Sequence, residues 1–275
     1  MAADPSERDD LVLTKRIALD VPNRYLGLLQ LNREDELNPL DRWTVAALDK
    51  AIEPLAEDPE VCTIAVTGTG RGFSAGGDMR KYVSLFDDSV GFMKFLQSVG
   101  AFCRKCQQAP KPVIGLINGV TVAGGLEIML SFDFSYAAES ARIGDGHSNF
   151  GLLGGGGANY KLPRRILPGL AFENLMTGAL WTAREALEIG LVNKVVPDAE
   201  LLNAGVEFAN KMALKAPLGY KYAKEIFYQT LNMREADAEY IELAIAHHYH
   251  TTAEDAREGL RAFAEGKRRP DFKGR

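Results

Sequence analysis

Two turns made of small residues, Phe73-Ser74-Ala75-Gly76-Gly77 and Val122-Ala123-Gly124-Gly125, each stand between a strand-like run and a helical pattern. The first follows Thr63-Ile64-Ala65-Val66-Thr67 and leads through Asp78 and Met79 toward a helix. The second follows the apolar run 113–117 and passes straight into Leu126-Glu127-Ile128-Met129-Leu130. Strands alternating with helices in this way call for an α/β arrangement with much of the sheet covered. The head of each helix leaves backbone N–H groups without intrahelical partners, and negative charge is favoured there. Glu127 lies three residues after Gly124, about one helical turn from those N–H groups and on the same face. If the Gly77 and Gly124 N–H groups converge on one point, they form a two-donor hole for an oxyanion, in which losing one donor typically costs roughly 2.7–4 kcal/mol of transition-state stabilisation. Taken singly, each turn also reads as a tight connection that needs positive φ or close strand–helix packing.

The rest of the chain extends this pattern. Residues 11–19 and 25–31 are strand-like around the turn Val21-Pro22-Asn23-Arg24, which predicts an opening hairpin. Asn38 and Pro39 announce a helix to about residue 56, with Asn38 as its cap. Residues 78–106 are mainly helical, interrupted at Phe86-Asp87-Asp88-Ser89, where a mobile lid fits. Further strands are expected over 134–137 and 192–196. Thr182-Ala183-Arg184-Glu185 is a capping box, with Gly190 as the stop. Helices follow over 199–215, 218–231, 234–249 and 253–265. The expected organisation is a disordered tail over 1–10, an α/β core over 11–197 and a helical region over 198–275.

Composition narrows the classes of function. Hydrophobic residues make up 46% and charged residues 25%, which argues against a disordered or fibrous protein. No run approaches the ~20 apolar residues of a membrane span, and the net charge of -5 does not suggest nucleic acid as main partner. The start MAADPSERDD lacks a secretory or mitochondrial pattern, so a cytoplasmic location is expected. Three cysteines make no disulfide framework, and Cys103-Arg104-Lys105-Cys106 has no second pair to complete a zinc site. His247, His248 and His250 scatter around a helix end, so no metal is expected. The run Gly154-Gly155-Gly156-Gly157 lacks the ending of a phosphate-binding loop and does not follow a strand into a dinucleotide fingerprint.

The segments GRGFSAGGDM, NGVTVAGGLEIMLSFDFSYAAESARIG and MTGALWTAREALEIGLVNKVVP closely resemble the crotonase (enoyl-CoA hydratase/isomerase) superfamily over about residues 11–275. The resemblance implies a spiral of ββα units with a helical C-terminal oligomerisation region, and a homo-oligomer that is a trimer or a pair of trimers. It implies an acyl-CoA thioester substrate, with coenzyme A as part of that substrate and no separate cofactor. The Gly77 and Gly124 N–H groups map onto the donors to the thioester carbonyl, and Glu127 onto the first catalytic glutamate. Ala75, Asp78 and Met79 fall within the substrate-binding turn. Arg33, Arg80, Lys81, Phe263 and Lys267 are implied to approach the adenine and phosphates, cations to phosphate and an aromatic ring to the purine; solvated surface charge is the alternative for each.

His147 is the main departure, since it stands where many members carry the second catalytic glutamate. An imidazole with an ordinary pKa of about 6.5 can give or take a proton near neutrality, although a lone histidine is more often a packing residue. Asp145 is either a substitute carboxylate or the group that orients the imidazole. A second departure is glycine where the family habitually has proline before its glycines. The reading is an enoyl-CoA hydratase, with carbon–carbon hydrolysis of a β-diketone-like substrate, double-bond isomerisation or non-catalytic acyl-CoA binding as alternatives.

Overall fold

The computed structural model describes residues 10–266 and 268–275, so most of the expected tail, and Lys267, lie outside the described residues. The chain opens with the antiparallel strands β1 (Val12–Ala18) and β2 (Tyr25–Leu31). Helix α1 (Arg42–Glu57) follows, capped by Asp41, whose Oδ1 accepts from the Trp43 and Thr44 N–H groups at 3.1 and 2.9 Å. The cap is therefore three residues later than expected. Asn38 has a left-handed backbone, φ 54°, and its amide is used elsewhere: Oδ1 accepts from Arg33 N–H at 2.8 Å and Nδ2 donates to the Gly72 carbonyl at 2.8 Å.

Next come β3 (Val61–Gly68), β4 (Gly72–Ser74), α2 (Met79–Phe86), α3 (Ser89–Gln108), β5 (Val113–Ile117), β6 (Val120–Val122), α4 (Gly124–Met129), β7 (Phe134–Ala138) and β8 (Arg142–Gly144). The chain continues through α5 (Ala158–Arg165), α6 (Pro168–Thr177), β9 (Trp181–Thr182), α7 (Ala183–Glu188), β10 (Lys194–Val196) and α8 (Leu201–Met212). Among the described residues these strands form a six-stranded sheet ordered β1-β2-β3-β5-β7-β10 and a four-stranded sheet ordered β4-β6-β8-β9. Three successive strand pairs, β3 with β4, β5 with β6 and β7 with β8, place their first strand in the large sheet and their second in the small one, and a helix follows each pair. This is the expected ββα spiral.

Alternation along the large-sheet strands explains how both faces are covered. Ile64 and Val66 of β3 face α1 and α3, together with Leu48, Ile52, Val99 and Phe102. Ala65 and its neighbours Leu26, Leu28, Ile114 and Leu116 face α8, where Leu201, Ala204 and Ala209 are buried. Strands covered on both sides read as continuous apolar runs, and every residue of β3 is buried. The expected boundary at residue 198 thus precedes a helix that packs on the sheet.

The helices that stand away from the sheet are α9 (Pro217–Thr230), α10 (Glu235–Thr252) and α11 (Glu254–Ala264). One half-buried ionic cluster fastens α9 to the core. Lys224 Nζ meets Asp133 Oδ2 at 2.9 Å and donates to the Cys106 and Lys111 carbonyls, while Tyr228 donates to Asp133 Oδ1 at 2.8 Å. Burial lowers the Lys224 pKa against the opposing pull of Asp133. Among the described residues no helix is long and apolar enough to cross a membrane.

Removing one partner of a buried pair strands the other charge, which costs about 3–5 kcal/mol, and this half-buried pair falls at the low end. Asp133→Ala is therefore expected to destabilise the protein by about 3 kcal/mol in urea denaturation. A change no larger than that of a surface substitution would show that α9 is held by apolar contact alone.

Candidate active site

The small sheet brings the two glycine turns together. β4 and β6 pair in parallel, Gly72 opposite Val120 and Ser74 opposite Thr121, and each turn leaves the end of its strand. A β-carbon built on Gly124 would lie 3.4 Å from Gly76 Cα and 3.6 Å from Gly77 N, so the two backbones touch. Gly76 holds φ 85°, and the space a β-carbon would take is closed by the Val122 carbonyl and Gly124 N, so only glycine suits it. Ala123 also has positive φ, 53°, a strain of order 1–3 kcal/mol that the surrounding pairing sustains. Neither Gly77 N–H nor Gly124 N–H donates in the hydrogen bonds of the described residues.

Both turns line a cavity of about 660 Å³ that also receives Glu127, His147, Ala75, Asp78, Met79 and Arg80. A cleft of about 730 Å³ between the hairpin turn and residues 269–274 shares no lining residue with it. Glu127 is 4% exposed. Its Oε1 accepts three backbone hydrogen bonds at the head of α5, from Gly156 at 2.7 Å, Gly157 at 2.9 Å and Ala158 at 3.2 Å. One oxygen is fixed, and Oε2 has no donor among the described residues. The glycine run makes this possible: a β-carbon on Gly156 would lie 2.8 Å from Oε2 and 2.9 Å from Val99 Cγ1. Burial pushes the Glu127 pKa up, outweighing the opposing pull of His147 and of the Ala158 and Gly156 N–H groups; Asp145 adds to the rise.

His147 opens a 3-10 turn, His147–Phe150, directly after Gly146, which holds φ 68°. Its Nδ1 meets Asp145 Oδ1 at 2.9 Å and its backbone N–H donates to Asp145 Oδ2 at 3.3 Å. Asp145 is itself buried, and its N–H donates to Asn174 Oδ1 at 2.9 Å, while Asn174 Nδ2 holds the Ala179 carbonyl at 2.8 Å. Asp145 meets the imidazole and is not among the residues that line the cavity. Burial lowers the His147 pKa, but the hydrogen bond and charge of Asp145, with Glu127, outweigh it and the net shift is upward. A carboxylate on Nδ1 fixes that nitrogen as donor and leaves Nε2 for chemistry.

Two cations expected at phosphates are drawn inward. Arg33 is 4% exposed and binds Glu36 at 3.0 Å and Asp41 at 2.9 Å. Lys81 binds Asp41 at 3.0 Å. They couple the loop before α1 to the first turn and are not among the cavity-lining residues. The reason is the carboxylate excess there, Glu36, Asp41 and Asp78. Phe263 is exposed on α11 and also lies outside the lining. Sequence reasoning missed the clamp of Gly156, Gly157 and Ala158, which is backbone and has no residue signature beyond the glycine run. It also missed Asn174 and the aromatic wall of Tyr82, Phe86, Phe92 and Phe95, whose spacing reads equally as ordinary core.

The sequence model of the family described as enoyl-CoA hydratase/isomerase matches residues 23–275. A mitochondrial enoyl-CoA hydratase of Pongo abelii is 32% identical over 251 residues, 91% of this chain and 84% of that protein. A carnitinyl-CoA dehydratase of Salmonella paratyphi A is 34% identical over 244 residues, 86% of this chain and 91% of the relative. In structure the chain is similar to an enoyl-CoA hydratase from Bacillus anthracis, with a TM-score of 0.88 and 30% identity, covering 96% of this chain and 100% of the other.

Because the folded pKa of Glu127 lies above its unfolded value, the group favours folding most when protonated. That contribution is full below the unfolded pKa and is lost as pH rises through the folded one. Glu127→Gln is therefore expected to be neutral or stabilising above neutral pH, with the gain fading in acid, read as Tm against pH. A marked loss of Tm above neutrality would mean that the three N–H bonds outweigh burial.

Proposed function

The chain belongs to the enoyl-CoA hydratase/isomerase family, and from that premise we propose that it adds water across the double bond of a 2-enoyl-CoA to give a 3-hydroxyacyl-CoA. The observation that carries this reading is the meeting of two glycine turns, a clamped carboxylate and a carboxylate-oriented imidazole around one cavity. In the proposed reaction the thioester oxygen accepts from Gly77 and Gly124 N–H groups, which take up the negative charge that develops as C3 is attacked. Glu127 Oε2 takes a proton from water, whose oxygen bonds to C3. His147, protonated on both nitrogens, gives its Nε2 proton to C2, and the proton on Glu127 returns to the imidazole through solvent. The elements of one water are added and nothing is oxidised. Arg33 and Lys81 position the first turn in this reading, and Arg80 is left to meet the phosphates of coenzyme A. Exposed Phe172 and Met176 on α6 and Tyr240 and Leu243 on α10 support self-association as well.

The His147–Asp145 pair also favours a second reading, because a base aimed by a carboxylate can direct water at a carbonyl carbon and break a carbon–carbon bond. Oxygen-18 water separates the two. Incubation with short, medium and aryl enoyl-CoA esters is expected to give a labelled hydroxyl with the thioester intact. Bound esters that gain no water overturn hydration, and labelled acid from a β-diketone-like ester would support the second reading.

Glu127→Gln is expected to lower kcat by roughly 10²–10⁴-fold while CoA-ester binding persists; unchanged turnover would remove Glu127 from the reaction. The pH dependence of kcat/KM is expected to be bell-shaped, with the acid limb set by ionisation of Glu127, raised by burial, and the alkaline limb by His147, raised by Asp145. Asp145→Asn removes the charge that favours the imidazolium, so the alkaline limb should move to lower pH. An unmoved limb would assign it to another group.

A further inference from the structure

The cavity wall carries a phenol that the reaction above does not use. Tyr82 of α2 lies against the first glycine turn: a β-carbon built on Gly77 would meet its Cε2 at 2.0 Å and its hydroxyl oxygen at 2.6 Å. The hydroxyl therefore stands beside the backbone whose N–H forms half of the two-donor hole. Three rings pack edge-on around Tyr82 and fix its plane, with centroids at 6.0 Å for Phe86, 5.9 Å for Phe92 and 6.0 Å for Phe95. None of the hydrogen bonds of the described residues uses the hydroxyl. A phenol packed among apolar rings ordinarily finds a partner for its O–H, and Tyr82 is among the residues that line the cavity.

Resting on the acyl-thioester reading of this site, we propose that the Tyr82 hydroxyl is a third hydrogen-bond donor to the thioester oxygen held by the Gly77 and Gly124 N–H groups. Its proton is not transferred; it stays on the phenol and is shared with the oxygen as charge accumulates there. Burial, aided by the charge of Glu127, pushes the Tyr82 pKa up to about 12, so the group remains a donor through the neutral range. The aromatic wall keeps water from competing for the same oxygen, and in such surroundings a donor aimed at developing charge is worth more than in solvent. The position also makes Tyr82 a sensor of substrate placement. Only a thioester seated fully against both turns brings its oxygen within reach of all three donors.

The test uses cinnamoyl-CoA carrying carbon-13 at C1, bound to the wild-type protein and to Tyr82→Phe, with the carbonyl stretch read by infrared difference spectroscopy alongside kcat and KM. The wild type is expected to lower the stretching frequency, and Tyr82→Phe to return it part of the way toward the free ester. In the same variant kcat should fall roughly 10- to 100-fold, as for loss of a hydrogen bond to a charged group, with KM close to the wild-type value. Replacing Tyr82 by fluorinated tyrosines should grade the frequency with the acidity of the phenol. A Tyr82→Phe protein with the full shift and full kcat, altered only in KM, would overturn the proposal and leave Tyr82 as a wall of the cavity. Absence of any shift in the wild type would overturn the thioester reading and the proposal together, whereas a wild-type shift unaffected by Tyr82→Phe would overturn the proposal alone.

Discussion

Two parallel strands of three residues each, β4 and β6, decide where the two glycine turns lie. So short a ladder has little strength of its own, and side-chain amides reinforce it from both sides. Asn38 Nδ2 holds the Gly72 carbonyl at 2.8 Å, Asn118 Nδ2 reaches the same carbonyl at 3.1 Å, and Ser74 Oγ ties back to the Asn38 carbonyl at 2.7 Å. Below the first turn, Arg33 gathers Glu36 and Asp41, and Lys81 adds its charge to Asp41. Burial would raise the Asp41 pKa, but the Thr44 N–H, Lys81 and Arg33 outweigh it and keep the carboxyl below its ordinary value. The large sheet supplies a rigid floor, and these small polar fasteners set the register of the two turns upon it.

The electrostatics of the cavity follow from the same economy of groups. Glu127 is held at a helix head that favours its charge, yet is buried deeply enough that the neutral form gains. His147 is half-buried and has a carboxylate on one nitrogen. Each group is shifted upward for a different reason, Glu127 by burial and His147 by Asp145 and Glu127 against burial. In the proposed reaction this pair would serve both directions of proton movement without a second carboxylate in the cavity wall.

Much of this was legible in the residues. The β3 and β5 runs, the Thr182 capping box, the order of the C-terminal helices and the breaks near Pro217 and Asp88 follow from apolar period and from capping chemistry, which are local. The strands of the small sheet were not legible, since three residues of Gly-Phe-Ser or Arg-Ile-Gly show no period and owe their form to neighbours far along the chain. The α1 cap was misplaced because Asn38 is as good a cap as Asp41 until the tertiary structure takes its amide for Gly72. Glu127, Gly77, Gly124 and His147 could be picked out, and all line one cavity. What joins them could not: the clamp on Glu127 is main chain, and Arg33 looks identical in sequence whether it reaches outward to phosphate or inward to carboxylates.

The clamp couples chemistry to architecture. Three N–H groups that begin α5 terminate on one oxygen of Glu127, and a carboxylate accepts such bonds more strongly than a carboxylic acid does. Protonation of Glu127 would therefore weaken what secures the first turn of α5, and ionisation would restore it. The ionisation state of a single side chain is in this way written into the rigidity of the segment 154–158 and of α6, which packs against α5. In the proposed reaction, a proton cycle at the carboxylate would be accompanied by a cycle of loosening and tightening in the chain that encloses it.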